Sequence, residues 1–191
     1  MNFLEGGSTS EFDALLLRVR EGDTSAFAEL FGQYQPMLLR FLRTQTDEVE
    51  DVASEVRLSV IRDLRRFHGD ESKFRSWLFT IARHRAIDAG RAAQPRRTEP
   101  VAEIDEAMRG DWVPDAADSV VESSSTTRAL KLIASLPRDQ AQAVALRVIA
   151  GLDVPAVAEI MGKKPGSIRV LVHRGLRTLA GNIEPREDNS V

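Results

Sequence analysis

A chain of 191 residues, 42% hydrophobic and 29% charged, can build one large core or two small ones. Having no cysteine, it cannot form disulfides, thiolate metal sites or cysteine nucleophiles, and no apolar run approaches the roughly 20 residues that span a bilayer. The net charge of −3 conceals three blocks: residues 1–98 balance 15 basic against 15 acidic side chains, residues 99–122 set Arg109 against eight carboxylates, and residues 123–191 hold ten basic against six acidic.

Such a neutral block, acidic strip and basic block predict two domains and a linker with a role of its own. The N-terminus, MNFLEGGSTSEF, lacks the basic-then-apolar pattern of a signal peptide, so the chain is expected to stay in the cytoplasm with no direct membrane insertion. His68, His84 and His173 are too dispersed for a local metal motif. There is no phosphate-cradling glycine loop, nucleophile elbow or HExxH pattern, so no cofactor is expected.

In chain order, residues 1–10 read as a flexible tail. Glu11 to Arg20 predicts a short helix with Phe12, Leu15, Leu16 and Val19 on one side, ended by Gly22. Asp23 or Thr24 opens the next helix, whose stripe Phe27, Leu30, Phe31, Tyr34, Leu38, Phe41, Leu42 continues through Pro36 to Arg43. Glu48 to Phe67 predicts a third helix with Val49, Val52, Val56, Val60, Leu64 and Phe67 toward a core. Asp51 and Glu55 lie off that stripe near the positive end of the helix. An exposed acidic first turn, a docking patch for a basic partner and a carboxylate pair are the readings open for them, the last being the weakest.

After a polar break from His68 to Ser72, a fourth helix is predicted over Phe74 to Arg91. Phe74, Trp77, Leu78, Ile81 and Ala82 form its core stripe, Phe79 and Ile87 fall off it, and Arg85 with Asp88 reads as a structural ion pair. Arg75, Arg83, His84 and Arg91 flank its aromatics, as in surfaces that stack single-stranded bases, although chemistry alone favours core packing for Trp77. Residues 94–123 lose periodicity, gain prolines and carboxylates, and read as a linker with a short helix around Ala102 to Met108. Ser123 to Ala134 resumes helical spacing. A further helix begins at Leu136 and Pro137, carries Val144, Ala145, Val148 and Ile149 inward, and stops at Gly151.

The stretch from Gly151 to Leu179 predicts two short helices and a tight turn. Asp153 caps the first, Pro155 falls in its first turn, and Gly162 ends it. Pro165 starts the second, with Ile168, Leu171, Val172, Gly175 and Leu179 on one side and Gly166, Arg169, Val170, His173, Arg174 and Arg177 on the other. Gly175 would let a neighbouring helix come close. A short helix backed by apolar residues and faced with arginines suits a major groove.

Two separated stretches, AFAELFGQYQPMLLRFLR with EDVASEVRLSVIRDLRRFHGDESKFRSWLFTIARHRAIDAGR, and LPRDQAQAVALRVIAGLDVPAVAEIMGKKPGSIRVLVHRGLRTLA, resemble the extracytoplasmic-function sigma factors of bacterial RNA polymerase. The resemblance implies an all-α chain of two small helical domains. Region 2 (residues 11–93) would bind core polymerase and melt the −10 element, and region 4 (124–181) would be a helix-turn-helix reading the −35 element. Residues 182–191 would be a C-terminal tail, and the acidic linker would thread the polymerase cleft or serve as a solvated spacer. It implies core RNA polymerase (the β′ clamp and β) and promoter DNA as partners, admits an anti-sigma factor, and implies no catalysis. Asp51, Val52, Glu55 and Val56 would meet the clamp; Lys73, Arg75, Arg83, His84 and Arg91 would meet the −10 element; Ser167, Arg169, Val170, His173, Arg174 and Arg177 would meet the −35 element. Ser54 stands where the family often has glutamine, and His84 where asparagine is common.

Two rivals stand beside it. An autonomous helix-turn-helix regulator would use residues 1–93 as a sensor or dimer domain. An enzyme acting on DNA would use Asp51 and Glu55 as metal ligands. Neither accounts for the FRSWLFTIAR helix, the acidic linker and the helix-turn-helix occurring together.

Overall fold

The computed structural model of the chain describes residues 11–92 and 123–183, which hold eight α-helices and no strand. The expected tail at 1–10, the linker with its short helix at 102–108, and the end from 184 lie outside the described residues. Among those described, no helix is long and apolar enough to cross a membrane.

Helix α1 spans Glu11–Arg20 and α2 spans Thr24–Arg43, which runs on through Pro36. Asp23 starts α2: its carboxylate accepts from the Ser25 hydroxyl at 2.6 Å and from the N–H groups of Ser25 and Ala26 at 2.9 and 3.1 Å. The Ser25 bond first, then Ala26 and the Arg18 guanidinium, holds this carboxyl well below the usual range. The expected stripe of α2 is buried from Leu30 to Leu42.

Helix α3 runs Val49–Asp63 and tightens into a 3₁₀ turn, Leu64–Arg66, where continued α-helix to Phe67 was expected. Phe67 adopts an extended backbone, its N–H bonded to the Leu64 carbonyl at 3.0 Å, and its ring stacks on Trp77 with centroids 5.2 Å apart. Helix α4 runs Glu71–Ala92, starting three residues before the predicted Phe74. Asp70 explains the early start, because its carboxylate accepts from the Lys73 N–H and its carbonyl from the Phe74 N–H, both at 2.9 Å.

Two expectations for α4 are corrected. Phe79, placed off the stripe by periodicity, is fully buried and meets Phe41 edge-on at 5.3 Å. The helix is packed on more than one side, against both α2 and α3, so a single stripe cannot describe it. Arg85 does not serve Asp88 in the expected way: it donates to Ser59 Oγ on α3 at 3.0 Å, while Asp88 faces Arg91 at 3.9 Å. Trp77 is half-buried and rests against the core as anticipated.

The C-terminal group comprises α5, Ser124–Ala134, and α6, Arg138–Val144, followed by a π-helical turn, Ala145–Ile149. After it come α7, Val154–Met161, and α8, Pro165–Ile183. The π turn corrects a third expectation. Its wider ring, with the Ala150 N–H bonded to the Ala145 carbonyl at 3.1 Å, shifts the register so that Leu146 is buried and Val148 stands 59% exposed. One set of buried side chains continues from the first group into the second, with α7 against α4 and both α5 and the π turn against α2.

Candidate nucleic-acid interface

The turn between α7 and α8 is built from local chemistry. Asp153 caps α7 by accepting from the Ala156 N–H at 2.8 Å, with Pro155 in the first turn where no donor is missed. Gly162 closes it at φ +63°, a conformation costly for any residue with a Cβ, while the Lys163 N–H reaches the Ala158 carbonyl and the Gly162 N–H that of Glu159. Lys163 also pairs with Asp139 at 3.0 Å, tying the turn to α6. Pro165 then opens α8.

Helix α8 rests on α5, α6 and α7, and its buried and half-buried residues fall on one side. Ile168 is fully buried, and Gly175 lies so close to α6 that a Cβ there would come 2.7 Å from Val144 Cγ2. Leu171, Val172 and Leu179 rest against the same core. Every residue expected at the −35 element, Ser167, Arg169, Val170, His173, Arg174 and Arg177, is exposed. The helix thus presents three guanidinium groups and an imidazole on one open face, and arginine at such a face can grip phosphate or pair with a guanine edge.

The set expected on α4 is divided. Lys73, His84 and Arg91 are exposed, Arg91 at 79%. Arg75 is half-buried, ion-paired with Glu71 at 2.8 Å, its Nε enclosed without a partner, and its Nη1 close to Gly151 at the end of the π turn. Arg83 turns toward the C-terminal group and donates from Nε to Gln142 Oε1 at 3.3 Å. Burial first, then the neighbouring Arg138, pushes this guanidinium below its ordinary value.

On α3 the four expected residues also separate. Asp51 and Glu55 are exposed one turn apart, whereas Val52 and Val56 are sealed in the core, 2% and 0% exposed. The two valines hold the helix down and offer no surface, so any contact there falls to the carboxylates and their exposed neighbours Glu50 and Ser54.

Sequence reasoning missed Gln142 and Ser59. Gln142 is buried at 4% and meets Arg83 across 59 residues, and Ser59 is buried at 4% between the Glu55 carbonyl and Arg85. No periodic pattern marks such pairs; only a polar residue on an otherwise apolar helix face hints at them.

Comparison with known proteins gives concordant findings. A family described as Sigma-70 region 2 matches residues 30–96, and one described as Sigma-70, region 4 matches residues 127–179. The ECF RNA polymerase sigma factor SigD of Mycobacterium tuberculosis is 33% identical over 178 residues, covering 90% of this chain and 83% of SigD. The fold is similar to that of CnrH, solved with the cytosolic domain of CnrY, at TM-score 0.60 and 20% identity over 88% of this chain and 94% of CnrH. It is also similar to that of the sigma factor RpoE of Bartonella quintana, solved with the anti-sigma factor NepR, at TM-score 0.54 and 22% identity over 81% and 96% of the two chains.

Proposed function

This chain belongs to the extracytoplasmic-function sigma factors, which bind core RNA polymerase and direct promoter-specific initiation, and on that premise we propose how its surfaces divide the work. Residues 11–93 act as region 2 at the clamp and the −10 element, residues 124–181 as region 4 at the −35 element, and residues 94–123 as the connection between them. The observation that carries this reading is α8: its inner side is spent on the core and its outer side leaves all six expected residues open.

On the −35 side, Ser167, Arg169, Val170, His173, Arg174 and Arg177 face the major groove, the N-terminal turns supplying the base contacts. On the −10 side, Lys73, His84 and Arg91 are available at once. Arg83 becomes available when Gln142 releases it, and Arg75 when the end of the π turn moves away, so the use of these two arginines requires the two groups of helices to separate. Asp51 and Glu55 meet basic groups of the β′ clamp while Val52 and Val56 keep α3 rigid beneath them. Sigma factors are non-catalytic DNA-recognition proteins, and the chemistry of transcription stays with the polymerase, in the cytoplasm. The complex of RpoE with NepR supports an anti-sigma factor as a further partner.

Core polymerase is needed on energetic grounds. Phosphate neutralisation supplies most non-specific affinity, so a chain of net charge −3 begins at a disadvantage. Melting costs about 1.4 kcal/mol per base-pair step, and one small helical group offers few contacts to offset several steps. The free protein should therefore bind duplex DNA weakly and without selectivity, and specifically once core enzyme is added. A mobility-shift titration on a promoter library, with and without core polymerase at one stated salt concentration, tests this. Tight, sequence-specific binding by the chain alone, unchanged by polymerase, would favour the autonomous regulator instead.

A further inference from the structure

Two large apolar residues of α8 are exposed, Val170 at 47% and Leu176 at 44%, while Ile168 is fully buried and Leu171, Val172 and Leu179 rest against the core. Leu176 lies about 100° round the helix from Gly175, at the border of the packed side, and Val170 alone of the two is on the outer face. At about 100° per residue it lies nearly opposite Gly175 and Ile168, in the middle of the outer face and flanked by Arg169, His173 and Arg174. A single exposed valine is ordinary on a protein surface. One in the centre of a cationic DNA-facing patch, where a valine can neither hold phosphate nor pair with a base, calls for an apolar partner.

Gly166, one turn earlier on the same face, adds an independent observation. Its backbone does not take a positive φ, and a Cβ there would meet nothing within 4 Å. Nothing inside the protein requires glycine at that position, the second residue of α8. Gly166 thus leaves open space beside Val170 on the outer face.

Base edges in the major groove carry one apolar group, the 5-methyl of thymine. We propose that Val170 is a specificity-determining residue that packs against the methyl group of a thymine in the −35 element, with Gly166 giving the nucleotide room to approach the helix. This inference rests on the reading that α8 enters the major groove at the −35 element.

The test uses holoenzyme assembled from the full chain and core polymerase, on a promoter selected from a randomised −35 library. Each thymine of the selected element is replaced singly by deoxyuridine, which removes only the methyl, and binding is compared at one salt concentration. One position should lose about fourfold in affinity, the equivalent of one methyl-sized apolar group at about 0.8 kcal/mol. In Val170→Ala holoenzyme the same substitution should be neutral, while in Arg174→Ala its penalty should remain. A thermal melt of free Val170→Ala should match wild type, since the residue has no place in the core. The valine assignment is overturned if no thymine is sensitive, if the penalty persists unchanged in Val170→Ala, or if the selected element has no thymine. Should Arg169→Ala and Arg174→Ala also leave the −35 preference unaltered, the placement of α8 in the groove falls with it. If they shift that preference while the uridine pattern ignores Val170, only the valine assignment fails.

Discussion

Helices α4 and α8 carry similar complements of arginine, yet the fold treats them in opposite ways. α4 lies between α2 and α3 with α7 upon it, and Phe74, Leu78, Phe79 and Ala82 are all fully buried. Packed on several sides, it has less free surface, and three of its arginines are engaged within the protein, Arg75 with Glu71, Arg83 with Gln142 and Arg85 with Ser59, while Lys73 and Arg91 stay exposed. α8 is seated along one side on α5, α6 and α7, and its cations remain in solvent. The availability of a charge to DNA thus depends less on its place in the helical pattern than on how many sides of its helix the core consumes. A buried stripe spreads over a third or more of a helix, and a second stripe leaves few directions free.

Four experiments break or sharpen this contrast. The largest effect should come from Phe79→Ala, which removes a fully buried ring edge-on to Phe41; urea denaturation should show a loss of about 3–5 kcal/mol. A loss below about 1 kcal/mol would mean that α4 is not packed on its second side.

Arg174→Ala should leave stability within about 0.5 kcal/mol but weaken holoenzyme binding by roughly 1–3 kcal/mol if the guanidinium pairs with a base edge. The loss should depend on the −35 base opposite it. A uniform loss across sequences would make Arg174 a phosphate contact, and an unchanged titration would remove it from the interface.

The third is a double-mutant cycle on Arg83→Ala and Gln142→Ala in the free protein. Their hydrogen bond joins the two groups of helices, and the coupling should be about 0.5–1.5 kcal/mol. In promoter opening the two should part company, with Arg83→Ala impaired and Gln142→Ala at least as active as wild type. Equal impairment would show that Arg83 acts through the fold alone.

The smallest change in stability, within about 0.5 kcal/mol, is expected for Arg91→Ala, whose side chain is 79% exposed. Its effect should appear in promoter melting, followed by permanganate reactivity of unpaired thymines. Normal melting in this variant would take Arg91 out of the −10 surface.

These contrasts also mark where periodicity and capping chemistry are sufficient. Asp153, Pro155, Gly162 and Pro165 each act within a turn of their own position, so the helix-turn-helix and the outer face of α8 were legible residue by residue. The stripe of α2 and the Gly175 approach to Val144 were legible because each lies on an apolar face marked out at helical spacing. The sequence by itself therefore determined the helices, their caps and the one-sided basic helix, because those depend on interactions a few residues long.

Tertiary structure alone decided the rest. Phe79 is buried because α2 brings Phe41 to it, and Val52 and Val56 are lost as a docking surface because the core closes over them. Val148 faces outward because the π turn adds an extra residue to its ring, and Arg83 is engaged because Gln142, 59 residues away, is packed against it. Each of these outcomes turns on which second surface arrives at a helix. A repeat of 3.6 residues records that a face is apolar, but not how many partners will cover the remainder.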